Sequence, residues 1–310
     1  MTRPRRLRRS ELSTPATSPK MISKAAGSDA DLVFLDLEDS VAPQEKASAR
    51  ANVVAGLNDL DWGRTVRACR INGVSTQWCH DDLIEVVSGA GANTDVIIVP
   101  KVKGPRDVWF VDDLLTQLEL KLGLEPGRIG LEILIEEVEA LARVEEICWA
   151  GGRLEAVILG VGDLSASQGM KLGHIGGGRD RSSEPYPGDV WHFARNRMIV
   201  AAKAAGIDPI DGPYANFGNP GGYERVAGTF CTLGGVGKWC IHPSQVEIAN
   251  RVYSPTEEEI AVARNAVAAM AEAEARGEGA ANLNGTMIDA ATTRIFQLVL
   301  DRAADCGLIS

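Results

Sequence analysis

The run LVFLDLE at residues 32–38 decides the fold. Its first four residues are all apolar, which suits a strand buried on both faces, and it closes on acids, where such a strand would reach solvent. Behind it, residues 44–58 read as a helix, and the unit then recurs. Strands are predicted at ELSTP (11–15), TVRACRIN (65–72), DVIIVPK (95–101), IGLEILIE (129–136), LEAVILGV (154–161), DPIDG (208–212) and KWCIH (238–242). Helical stretches lie near 18–26, 80–89, 105–123, 137–150, 188–206 and 220–233. Eight strands alternating with helices predict an α/β fold, a parallel sheet closed into a (β/α)8 barrel, and 310 residues suffice for one. An open doubly wound sheet is the alternative. It would need a glycine-rich first turn, and the turn after the first strand reads TPATSPK (14–20).

Beyond the eighth strand, SPTEEEIAVARNAVAAMAEAEAR (254–276) predicts a helix capped by Ser254 or Thr256, with acids in the first turn where its dipole favours them. GEGAANLNG (277–285) reads as a flexible link and MIDAATTRIFQLVLDRAAD (287–305) as a closing helix. The chain thus divides into a barrel, 1–252, and a C-terminal helical lid segment, 253–310. One long loop, SASQGMKLGHIGGGRDRSSEPYPG (165–188), has the length of a functional loop or lid.

Composition excludes several classes. Lysine plus arginine is 32 against 42 acids, a net charge of −10, which disfavours binding to a phosphate backbone. Apolar runs such as VIIVP (96–100) are too short to cross a membrane. Five arginines fall in the first ten residues, but no apolar segment follows as in a secretory signal. The six cysteines form no C-x-x-C pair and the four histidines no H-E-x-x-H, so a zinc site is not expected; scattered cysteines suit a reducing cytoplasm. GGVGK (234–238) is not a phosphate loop, because Thr232 and Trp239 stand where glycine and Ser/Thr are required.

In a barrel the active site forms at the C-terminal ends of the strands. Those ends carry Asp36, Glu38 and Asp39 on strand two, Arg70 and Asn72 on strand three, and Lys101 on strand four. Glu136 follows on strand five, Asp163 after strand six, Asp211 on strand seven and His242 after strand eight. Glu136 and Asp163 end neighbouring strands and can share one hard divalent cation, with substrate and water completing its shell. Such an ion polarises a keto-acid carbonyl. Glu132, Glu137 and Glu139 compete with Glu136; alternation puts Glu132 and Glu136 on one face, with Glu136 nearer the strand end. Arg67 and Arg70 fall on opposite faces, and Arg70 is the better placed to stabilise an enolate oxygen. His242 reads equally as a base or as a structural histidine, and Cys240 as a core residue.

These residues stand within longer matching stretches: VFLDLEDSVAPQEKASAR (33–50), RINGVST (70–76), EILIE (132–136), RLEAVILGVGDLSAS (153–167), GKWCIHPSQVEIAN (237–250) and MID (287–289). Through them the chain resembles the citrate lyase β-subunit-like (HpcH/HpaI aldolase/citrate lyase) family, from about residue 7 to 305. LNDLDWG (57–63) and WHFARNRM (191–198) favour its malyl-CoA lyase branch. The resemblance implies a magnesium-dependent carbon–carbon lyase, with manganese as an alternative ion, cleaving a malyl-CoA thioester to acetyl-CoA and glyoxylate. Propionyl-CoA is a second acyl substrate in that branch. A citrate lyase β subunit, or a thioesterase releasing malate, is the alternative. It further implies Glu136 and Asp163 as metal ligands, Arg70 at the thioester oxygen and Asp36, Glu38 and Asp39 close around the metal and cofactor. Asp289 would be the catalytic carboxylate, delivered by a neighbouring subunit of a homotrimer or homohexamer. The chain departs from relatives at Gly234-Gly235, where they carry Gly-Phe, and at Asn216 and Asn219, where they carry aspartates.

Overall fold

Eight parallel strands close on themselves: β1 (Ser10–Pro15), β2 (Leu32–Asp36), β3 (Val66–Arg70), β4 (Val96–Val99), β5 (Gly130–Ile135), β6 (Leu154–Leu159), β7 (Asp208–Asp211) and β8 (Gly237–Cys240), with β8 pairing back onto β1. The computed structural model describes residues 4–171, 189–283 and 285–309. The (β/α)8 barrel expected from the sequence is therefore the observed fold. Its helices are α1 (Pro19–Ala26), α2 (Lys46–Asp59), α3 (Cys79–Ala90), α4 (Pro105–Leu122), α5 (Val138–Ala142), α6 (Val144–Cys148), α7 (Val161–Gln168), α8 (His192–Ala205), α9 (Pro220–Thr232) and α10 (Val246–Val252). The single helix expected over 137–150 is two short ones, parted at Arg143, whose φ of −118° leaves the helical range. Of the long loop, residues 165–168 are the end of α7, and residues 172–188 lie outside the described residues.

Alternation along the strands sorts side chains into layers inside the barrel. Leu32 and Phe34, Ala68, Val96 and Ile98, Leu134, Ala156 and Ile158, Ile210 and Trp239 pack into one buried cluster. Two residues further along β2, β3 and β5, the same parity brings Asp36, Arg70 and Glu136 to the upper end; two residues back along β5 it puts Glu132 at the floor. Phe34 and Trp239, with ring centroids 4.5 Å apart, fill the level between. Above them, register pairs Asp36 with Arg70 across β2 and β3. Arg67, on the other parity, forks onto Asp95 instead.

By its contacts the chain divides into two compact units, Met1–Asn250 and Arg251–Ser310. The second holds α11 (Glu257–Ala275), an antiparallel hairpin of β9 (Ala280–Leu283) and β10 (Thr286–Asp289), and α12 (Ala290–Asp305). Thr256, not Ser254, caps α11: its hydroxyl accepts from Glu259 N–H while the Glu259 carboxylate reaches back to Thr256 N–H, a reciprocal capping box. The hairpin corrects the flexible link expected over 277–285 and starts α12 at Ala290 rather than at residue 287. Ala266, Met270 and Ile288 form the buried centre of this unit, so the hairpin is anchored by packing.

Candidate active site

Arg70 is the centre of the upper end. Its Nε and Nη2 donate to the two carboxylate oxygens of Asp36, both at 2.7 Å, and its Nη1 lies 2.9 Å from Glu38 Oε2. The guanidinium rests 5.3 Å above the Trp239 ring centroid, a cation–π contact that holds its plane. Of its five N–H donors, two hydrogen-bond Asp36 and a third faces Glu38 as an ion pair, and the other two meet no acceptor among the described residues. Asp36 accepts as well from the backbone N–H of Glu38 and Ser40. Burial alone would raise the Asp36 pKa; the Arg70 charge and these hydrogen bonds hold it below the usual range. Glu38 is pushed up by its burial, against the pull of Arg70 and Lys101.

Glu136, one residue past β5, is almost fully buried. Its Oε1 accepts the backbone N–H of Lys101 at 2.7 Å. A Cβ at Gly160 would lie 2.4 Å from Glu136 Cβ, so only glycine at the end of β6 lets this carboxylate stand upright. Burial, and then the charges of Asp163 and Glu38, push Glu136 up to about 8. Asp163 sits in the first turn of α7, its side chain 43% exposed, facing the same space. Lys101 leaves β4 with φ +53°, and its ammonium contacts Glu38, Asp39 Oδ1 at 3.1 Å and, more distantly, Asp163 Oδ1 at 3.9 Å. Burial works against the Lys101 charge, but Glu38 and Asp39 raise its pKa nonetheless.

Five carboxylates therefore face Arg70, Lys101 and, behind them, Lys46, whose ammonium is held by the Leu37 and Glu38 carbonyls. The excess of negative charge, together with a buried carboxyl raised by a second carboxylate, fits a hard divalent cation between Glu136 and Asp163. Among the described residues no three His, Cys, Asp or Glu side chains are placed to hold a metal. Two carboxylates would leave most of the coordination sphere to water and substrate.

The structure thus brings together Asp36, Glu38, Asp39, Arg70, Glu136 and Asp163, as the strand ends implied. It gives the competitors other work. Glu132 pairs with Arg8 at the floor, Asn72 binds Asp82, and Asp211 is enclosed by Lys238 and Arg195. His242 caps the turn Pro243–Gln245, accepting from Ser244 N–H, and stacks on Phe217. Asp289 belongs to the other unit. There its Oδ1 accepts the backbone N–H and the hydroxyl of Thr292, both at 2.8 Å, which hold its pKa below the usual range. Lys101 stands at a strand end in the sequence, but its left-handed backbone leaves no mark there, and Gly160 has a function visible only against Glu136.

The chain is similar to known proteins. The HpcH/HpaI aldolase/citrate lyase family model matches residues 9–243. The chain is 40% identical over 305 residues to an L-malyl-CoA/beta-methylmalyl-CoA lyase of Cereibacter sphaeroides, covering 97% of this chain and 96% of that one. It is 34% identical to a citrate lyase subunit beta of Leuconostoc mesenteroides, covering 92% and 89%. Among solved structures it resembles CitE from Mycobacterium tuberculosis in complex with magnesium, acetoacetate and coenzyme A, with a TM-score of 0.74 at 28% identity over 95% and 97% of the two chains. A match across three-quarters of the chain makes the protein a member of the HpcH/HpaI aldolase/citrate lyase family.

Proposed function

We propose that the protein is a magnesium-dependent carbon–carbon lyase that reversibly cleaves L-malyl-CoA to acetyl-CoA and glyoxylate, and β-methylmalyl-CoA to propionyl-CoA and glyoxylate. The observation that carries this reading is the open mouth at which Arg70 stands beside Glu136 and Asp163, in a chain 40% identical to a lyase of that name. Glu136 and Asp163 would hold the ion, which when bound supplies Lewis acidity to the glyoxylate carbonyl. Manganese would fit the same oxygen donors.

In the condensing direction the Asp289 carboxylate takes a proton from the α-carbon of the acyl thioester. The two uncommitted N–H groups of Arg70 then stabilise the negative charge developing on the thioester oxygen. The α-carbon attacks the aldehyde carbon of glyoxylate, whose carbonyl π electrons pass to its oxygen, which then takes a proton from the medium; cleavage runs the same bonds backwards. Asp36 and Glu38 hold the plane of Arg70 for this, and Asp39 with Glu38 holds Lys101. Asp289 is a poor base while Thr292 binds it. Entry into a dry site would raise its basicity, and in our reading that site is a neighbouring subunit's barrel in a homotrimer or homohexamer. The C-terminal segment then acts as a lid. The described residues contain no helix long and apolar enough to cross a membrane; with six free cysteines, we place the enzyme in the cytoplasm.

Mass spectrometry of products after incubation of the purified chain with acetyl-CoA, glyoxylate and magnesium tests this. Malyl-CoA is expected. Free malate with coenzyme A would indicate a thioesterase, and no product without an acyl-carrier-protein thioester would indicate a citrate lyase β subunit.

A further inference from the structure

One residue touches both carboxylates assigned to the metal. The Lys101 backbone N–H donates to Glu136 Oε1 at 2.7 Å, and the Lys101 ammonium lies 3.9 Å from Asp163 Oδ1 while contacting Glu38 and Asp39. The backbone is left-handed at this lysine, φ +53°, a conformation that a residue with a Cβ keeps only when its surroundings impose it. Here it turns the N–H toward Glu136 and the side chain toward Glu38, Asp39 and Asp163. Among the described residues the groups that contact the ammonium are the Glu38, Asp39 and Asp163 carboxylates; the Arg70 guanidinium is turned to Asp36 and the far oxygen of Glu38. Lys101 stays partly open to solvent, its side chain 30% exposed.

We propose that Lys101 is the resident counter-cation of the metal site. Its ammonium balances Glu38, Asp39 and Asp163 when no divalent ion is bound and opposes the ion electrostatically when one arrives, while its N–H holds Glu136 Oε1 in place. Lys101 is in this view a positioning residue that sets metal affinity and makes no bond to substrate. The inference rests on Glu136 and Asp163 being the metal carboxylates. A monovalent charge near a divalent ion weakens its binding, and solvent access makes the effect sensitive to salt.

Isothermal titration of magnesium chloride into the chelator-treated chain tests this without any turnover. Lys101→Met keeps the length of the side chain and the backbone N–H but removes the charge. It is expected to bind magnesium on the order of tenfold more tightly at low ionic strength, with the gain shrinking as salt rises. Its metal-free melting temperature should fall, and magnesium should raise it by more than in the parent chain. Lys101→Gln, which can still donate to Glu38, should show the same tightening and serves if the methionine variant does not fold. Lys101→Arg, which keeps the charge, should bind as the parent does. Unchanged or weaker binding in both neutral variants, with binding lost in Asp163→Asn, overturns the counter-cation and leaves the metal site standing. Unchanged binding in Asp163→Asn overturns the metal site and the inference together.

Discussion

At the floor of the barrel Arg8 reaches Glu132 at 2.6 Å, Glu155 and, at 3.3 Å, Asp208. At the upper end Arg70 reaches Asp36 and Glu38, while no salt bridge meets Glu136 among the described residues. Both ends hold more acid than base, and they deal with the excess differently. At the floor Glu11 and Glu132 are fully buried, and each leaves one oxygen without a hydrogen-bond partner, as Glu38 does at the upper end. Burial, and then the charge of Glu132, raise the Glu11 pKa well above its ordinary range, which favours a proton there. The upper end opens to solvent instead, through Asp39 and Asp163 at 56% and 43% side-chain exposure. Burial favours a proton at both ends, but only at the open one, on Glu136, can that proton be exchanged for a cation from outside. Trp239 divides the two, its indole N–H donating down to Glu11 at 2.8 Å and its ring face carrying Arg70 above.

Asp163→Asn should separate the ends most sharply. It removes a charge from the open end alone, so turnover is expected to be abolished with the melting temperature little changed. Near-parental, chelator-sensitive activity would remove Asp163 from the site. Arg8→Met makes the reverse change. It strands the buried Glu132 at the floor, while Glu155 keeps Arg6, and is expected to cost about 3–5 kcal/mol of stability, as when one partner of a buried ion pair is lost. Unfolding by urea would measure the loss, and the folded fraction should keep the parental kcat. A matching loss of kcat would show that the floor is coupled to the site.

Arg70→Lys sharpens the comparison within the upper end. A point charge cannot replace a planar fork that meets both Asp36 oxygens and Glu38 and still keeps two donors. Turnover is expected to fall roughly 10²–10³-fold, the scale for removing one oxyanion donor. A loss below tenfold would make Arg70 an ion-pair partner only.

The upper end was legible in the sequence because strand alternation is local. Asp36, Arg70 and Glu136 each follow two residues after a buried inward residue of their own strand. The floor was less so: Glu132 shares its face with Glu136 and remained a rival, since its partner Arg8 lies 124 residues away and only barrel closure brings them together. The hairpin of the C-terminal unit did carry a signal, the dipeptide Asn284-Gly285 between short runs, with Gly285 at φ +85° in the left-handed region. Polar neighbours obscured it. Asp289 was expected as the base, and what its unit by itself displays is a helix cap, its carboxylate accepting from Thr292. The base role depends on a second subunit, which no single-chain pattern encodes.

The smallest expected effect concerns protons at the open end. Glu136 has an ordinary pKa of 4.5 and stands at about 8 in the folded chain without metal. The folded state therefore holds this proton more tightly than the unfolded state does. The associated stability is fully present below about 4.5 and is lost as pH rises through about 8. The metal-free protein should melt at progressively lower temperature across that window, at roughly 2–4 °C for each kcal/mol lost in a chain of this size class. Glu11, Glu38 and Glu132 are also raised, so the parent alone does not isolate Glu136. Glu136→Gln does, because glutamine imitates the protonated carboxyl at every pH. In chelator, the melting temperatures of parent and variant should nearly coincide near pH 5 and separate by pH 8, the variant melting higher. Magnesium should then raise the parent at pH 8 and leave the variant where it was. A difference between the two chains that stays constant from pH 5 to pH 8 would mean that Glu136 is already ionised in the folded state, and the exchange of its proton for a cation at the open end would fall with it.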